Sequence, residues 1–146
     1  MFTVRDATAP DASAIEILEQ TCVQEAQSFR GNAELLSAAP LIGQGLTTFQ
    51  DHPGHIVLVV ESSSEICGFA QMDCSGSVAM IRRVYVSAKA RDLGAGATLI
   101  DELRDRARLQ GCNRIDAYAL PGDRLTKNLF ERAGMKARLL IASSEL

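Results

Sequence analysis

Apolar and polar residues alternate over residues 2–5, the period of a short first strand, and the rhythm then changes. Thr8, Ala9, Pro10 and Asp11 make a capping-box-like start with proline in the opening turn. Ile15, Leu18, Cys22 and Ala26 follow at helical spacing, with Glu16, Glu19 and Gln20 available to solvent. From residue 28 to residue 54 the pattern weakens, because Gly31, Pro40, Gly43, Gly45 and Pro53 leave room only for short helices around 33–39 and 42–49. That stretch reads either as a substrate-facing lid or as an ordinary connector.

Residues 56–61 and 66–74 are β-type runs joined by Ser62, Ser63, Ser64 and Glu65, a link of hairpin length, so the two strands are expected to pair antiparallel. Residues 77–86 give a further strand with β-branched and aromatic side chains near its end. The clearest helix is 96–110, with Leu99, Ile100, Leu103 and Ala107 on one face and Asp101, Glu102, Asp105 and Arg108 on a wet one, closed by Gly111. A strand at 115–120, a turn at Pro121 and Gly122, a helix at 125–133 ended by Gly134 and a last strand at 139–142 complete the order. The last strand is placed to pair across a homodimer.

A chain of 146 residues suits one domain that buries roughly two-thirds of its unfolded surface. The net charge is −3, and arginines are interleaved with carboxylates, so the broad basic face of a nucleic-acid binder is missing. The longest aliphatic run, residues 56–60, is too short to cross a bilayer. The N-terminus lacks the basic stretch and apolar core of a secretory signal, and the expected location is the cytoplasm. Cys22, Cys67, Cys74 and Cys112 are scattered without a C-x-x-C pair and read as reduced and structural. Asp51, His52 and His55 cluster around Pro53 and Gly54, but a turn before a strand accounts for them without a metal.

Chemistry concentrates between Val84 and Ile100, where a strand, a connector, a glycine turn and a helix start follow one another. Gly94 and Gly96 permit close approach to the main chain, and the unpaired N–H groups of the helix's first turn suit a pyrophosphate. A G-x-G before a helix is a weak signal by itself and could serve packing alone. No G-K-[ST] follows for a Walker-type site, and the third glycine of a dinucleotide fingerprint is replaced by Leu99.

The spacing Arg91-x-x-Gly94-x-Gly96 resembles the R/Q-x-x-G-x-G/A signature of the GNAT N-acetyltransferase family. Val4-Arg5-Asp6-Ala7-Thr8 with Asp11, and Ile66-Cys67-Gly68-Phe69-Ala70, look like that family's opening and its third strand. The resemblance implies an α/β (α+β) fold with a mixed, mostly antiparallel central sheet, flanked by helices on both faces and splayed between the strands at 77–86 and 115–120. It implies acetyl-CoA as acyl donor, its pantetheine along Val84, Tyr85 and Val86 and its pyrophosphate on Arg91, Asp92, Leu93, Gly94, Ala95, Gly96 and Ala97. Residues 123–135 are similar to the family's N-x-x-A-x-x-x-Y-E-x-x-G-F helix, which brings Asp123 and Phe130 to the cofactor as well.

Three residues depart from that last pattern: Asp123 stands for asparagine, Thr126 for alanine and Phe130 for tyrosine. In the family the tyrosine commonly protonates the departing thiolate, which phenylalanine cannot do. The chain's two tyrosines, Tyr85 and Tyr118, are the replacements, and Tyr118 is the better placed, although a buried strand tyrosine is the commoner case. Asp73, Asp116 and Glu61 are the candidate bases, and Arg82 and Arg83 read as a solvated strand edge. The functional expectation is acetyl transfer from acetyl-CoA to a primary amine, on a small molecule or a protein. The alternative is a non-catalytic acyl-CoA-binding module, and a purely structural glycine turn is the third reading.

Overall fold

The structure, a computed structural model, describes all 146 residues. Its strands are β1 (Phe2–Asp6), β2 (His55–Ser62), β3 (Glu65–Ser75), β4 (Val78–Val86) and β5 (Arg114–Ala117). Its helices are α1 (Ala12–Ala26), α2 (Asn32–Ala38), α3 (Leu46–Gln50), α4 (Ala95–Leu109) and α5 (Arg124–Arg132). The strands form one sheet in the order β1-β2-β3-β4-β5, antiparallel throughout except for the parallel β4–β5 pair. The mixed, mostly antiparallel sheet expected above is therefore the one that forms.

Alternation in β2 explains the layering, since successive side chains of a strand face opposite ways. Leu58 and Val60 join Ala70 and Met72 beneath Leu99, Ile100 and Leu103 of α4, while Val57 and Val59 join Phe69 beneath Ile15 and Leu18 of α1. All of β2 from Ile56 to Val60 is buried, because both faces are covered. At the start of α1, the Thr8 N–H donates to Asp11 Oδ2 at 2.7 Å, and Arg5 donates to both oxygens of Asp11 and to Glu61. One arginine thus ties β1 to the helix entry and to β2.

Several sequence expectations are corrected. Residues 139–142 form no strand: Leu139, Leu140 and Ile141 stay exposed, their β-type composition unmatched by any neighbouring edge. The strand expected at 115–120 is β5, Arg114–Ala117, and Tyr118 to Leu120 lie beyond it because β4 has turned away. Arg82 and Arg83 are not a solvated edge. Arg82 pairs with Asp73, and Arg83 is buried against α1 and the segment after α2. The ring of His55 stacks on Phe49 at 4.2 Å, so the loop after α3 uses this histidine for packing. No helix is long and apolar enough to cross a membrane.

Candidate functional site

The site begins with a mismatch between two strands. β4 and β5 pair from Val78 to Ile81 and from Arg114 to Ala117, and the last bond runs from the Tyr118 N–H to the Ile81 carbonyl at 3.2 Å. At that point β4 carries an extra residue relative to β3: Gln71 faces Arg83 and Met72 faces Ile81, which leaves Arg82 in a bulge. Bulges bend a strand and raise its twist. Beyond Arg82, β4 continues to Val86 paired with β3 but without β5 on its other side, and the sheet is split there.

Alternation then decides which backbone groups are left over. The Ser87 N–H donates to the Cys67 carbonyl at 2.8 Å, so Tyr85 and Arg83, in step with it, bond to β3. Val84 and Val86 turn their polar groups the other way, toward the split. A peptide-like chain, such as the pantetheine arm of coenzyme A, can pair with that edge as a strand would.

At its far end the split meets the N-terminus of α4. Gly94, at φ 102°, is its N-cap, and Asp92 ahead of it is also left-handed at φ 60°. The first intrahelical bond is donated by Thr98 to the Gly94 carbonyl at 3.0 Å, which leaves the N–H groups of Ala95, Gly96 and Ala97 without a carbonyl partner. Those groups and the positive end of the helix suit an anion. Gly94 is required by conformation, since nothing lies within 4 Å of the position its Cβ would take. Gly96 is required by packing, because a Cβ there would meet Leu129 of α5 at 2.8 Å.

A cleft of about 930 Å³ joins these parts. Its wall includes Val84, Tyr85, Val86, Arg91, Asp92, Gly94, Gly96, Ala97, Tyr118 and Asp123, all anticipated from sequence, together with Phe29 and Leu35 from the segment around α2. Three anticipated residues are placed elsewhere. Leu93 faces a small hollow beside Lys89 and Ala90. Ala95 is fully buried and offers only its N–H, and Phe130 packs into the α4 core instead of lining the cleft. Asp123 caps α5 by accepting from the Thr126 N–H at 3.1 Å and its hydroxyl at 2.7 Å.

The candidate bases do not reach the cleft. Asp73 is held by Arg82, Asp116 by Arg114 and Glu61 by Arg5. Glu25, near the end of α1, is a carboxylate of the cleft wall that sequence reasoning missed, because on a helix face it looks like any solvated acid. Glu25 accepts from the Tyr85 hydroxyl at 2.9 Å and from Arg91 Nη2 at 2.8 Å, while Arg91 Nε donates to the Val86 carbonyl at 3.0 Å. Burial, and then the neighbouring Glu25, push the Tyr85 hydroxyl well above the usual phenol range, so it keeps its proton at any physiological pH.

The model of the acetyltransferase (GNAT) family matches residues 17–135. The chain belongs to this family. As a GNAT protein it is 26% identical over 139 residues to the uncharacterized N-acetyltransferase YhfO of Bacillus subtilis (strain 168), covering 91% of this chain and 89% of that one. Its fold is similar to a transcriptional regulator from Bacillus halodurans C-125, with TM-score 0.74, 21% identity and 100% of both chains covered. It is also similar to AAC(6')-Iy in complex with the bisubstrate analog CoA-S-monomethyl-acetylneamine, with TM-score 0.72, 14% identity and 100% and 99% of the two chains covered. This GNAT chain is thus placed among acetyltransferases, and its free β4 edge and the start of α4 are groups that fit a coenzyme A.

Proposed function

We propose that this protein transfers an acetyl group from acetyl-CoA to a primary amine. One observation carries the reading: the lone edge of β4 at Val84 and Val86 leads directly to the unpaired N–H groups at the start of α4. Bound acetyl-CoA would supply an acetyl group already activated as a thioester. In this reading the N–H groups of Ala95, Gly96 and Ala97 hold pyrophosphate oxygens, Val86 aligns the pantetheine amide, and the Val84 N–H donates to the acyl oxygen as it gains negative charge. Tyr118 is the tyrosine available for a proton transfer, since the Tyr85 hydroxyl is committed to Glu25. Phe130 provides no proton, but a thiol of pKa about 8.5 leaves tolerably as the thiolate. Positioning of the amine then carries most of the rate.

A second reading, an acyl-CoA-binding module without turnover, is favoured by the buried, apolar setting of Phe130. Calorimetric titration with acetyl-CoA and with coenzyme A, repeated on Gly94→Trp, tests the cofactor site. Coenzyme A release with a panel of amines then separates the two readings. Saturable binding lost in the variant, with release by some amine, supports the enzyme. Binding without release from any amine supports the module, and no binding by the wild type overturns both.

A further inference from the structure

Four charged side chains of this protein are buried: Asp11, Glu19, Asp73 and Arg83. Three are compensated inside the chain. Asp11 pairs with Arg5, Asp73 pairs with Arg82, and the oxygens of Glu19 accept from the N–H groups of Ile42 at 2.8 Å and Gly43 at 2.7 Å. Arg83 is different. It is 6% exposed, its Nη2 donates to the Ala39 carbonyl at 3.0 Å, and its Nη1 has no partner.

No carboxylate is bonded to Arg83. The Glu19 carboxylate of α1 is near enough to act on Arg83 through its charge, but its oxygens are bonded to the backbone at Ile42 and Gly43, and the nearby Cys22 thiol is pushed up to about 11 by burial and stays neutral. Glu25 is engaged by Arg91 and Tyr85. Gln71, directly opposite in β3, is a neutral amide whose own Oε1 is unpartnered. Even a bond between Gln71 and Arg83 would leave the guanidinium without a carboxylate bonded to it. Burying a cation that way is expensive, and within the chain only the charge of Glu19, which makes no bond to it, offsets the cost.

Its location supplies a reason. Arg83 forms part of the cleft wall with Cys22, Ala26 and Leu35, on the face of β4 that looks toward α1. It stands two residues before Tyr85, about 7 Å further along the strand from the turn assigned to pyrophosphate. The neighbouring Arg82 also lines the cleft, but its charge is matched by Asp73. The segment whose carbonyl touches Arg83 follows α2, and its Ala39 is itself fully buried.

We propose that Arg83 recognises an anionic group, a carboxylate or a phosphate, on the amine that this cleft accepts. The inference rests on the acetyltransferase reading and names its substrate class: an amine that brings its own negative charge. Such a group completes the guanidinium with charge-assisted bonds, and a neutral amine of the same shape leaves Arg83 as it is.

The test uses the full chain and matched probes: β-alanine and O-phosphoethanolamine against β-alaninamide and ethanolamine. Binding of each is measured by calorimetry in the presence of coenzyme A, and release of coenzyme A from acetyl-CoA is followed separately. The expected result is at least about tenfold tighter binding of an anionic probe than of its neutral partner by the wild type. Arg83→Gln should bring the two together, and Arg83→Lys should restore part of the margin, which shows that a charge and not a fold defect is at issue. The carboxylate and phosphate arms tell the two sources apart. Equal affinity of anionic and neutral probes, failure of both anionic probes to bind, or a margin that survives in Arg83→Gln overturns the proposal. An anionic margin without acetyl-CoA binding or coenzyme A release would instead count against the transferase reading.

Discussion

Arg91 and Glu25 are joined across the cleft, Nη2 of the arginine lying 2.8 Å from each carboxylate oxygen. The arginine assigned to a pyrophosphate is therefore already facing an anion. Glu25→Gln removes that competing charge while keeping a partner for Tyr85. Glu25 is partly exposed, so the electrostatic gain is modest, and coenzyme A should bind about two- to fivefold tighter. Calorimetry at two salt concentrations checks this, since the gain should shrink as salt rises.

Gly96 and Leu129 are a packing pair. Gly96→Ala should cost about 1–2 kcal/mol of stability in urea denaturation, because the new methyl overlaps Leu129. Leu129→Ala made together with it should cost less than the sum of the two single changes, by about 1 kcal/mol. Strict additivity would mean that Gly96 is there for the ligand alone.

Asp11 should dominate part of the acid sensitivity. Arg5 in the first place, and then the Thr8 N–H and hydroxyl, draw its carboxyl down from its ordinary 3.8 to about 2. A depressed folded value means that the unfolded chain takes up the proton first, so this stabilisation is complete above about pH 4 and is lost as pH falls toward 2. Asp11→Asn should cost about 2 kcal/mol at pH 7. The difference from wild type should vanish near pH 2, which denaturation at several pH values would reveal.

Phe130 predicts the shape of the pH–rate profile. With no tyrosine there, and with Tyr85 held protonated by burial and Glu25, neither position offers a general acid that loses its proton near pH 9. The rate constant kcat/KM should climb as the amine deprotonates and then level off without a falling limb up to about pH 9.5. A bell-shaped profile would reveal an acid elsewhere in the cleft, with Tyr118→Phe as the first variant to examine.

Helices α1, α4 and α5 and strands β1 to β4 were legible because their apolar periods run long enough to outvote local exceptions. The Arg91 to Ala97 turn was legible because its chemistry is local: a glycine at a left-handed position and N–H groups at a helix start lie within a few residues of one another. Residues 139–142 misled because β-propensity reflects the surface a segment packs on, and no such surface is present here. Phe130 was expected at the cleft but packs in the core, since burial depends on how α5 lies against α4.

By itself, then, the sequence determined most of the order of elements, the family and the glycine turn at the start of α4, all of which rest on residues close together in the chain. Tertiary structure alone decided the rest. The bulge at Arg82 comes from a count of residues between paired strands, and it opens the sheet and frees Val84 and Val86. Glu25 meets Arg91 from 66 positions away, and Arg83 loses its solvent to a segment 44 positions earlier. Charges read along a chain look solvated until packing removes the water, and which of them then finds a partner is settled by distances that no local pattern contains.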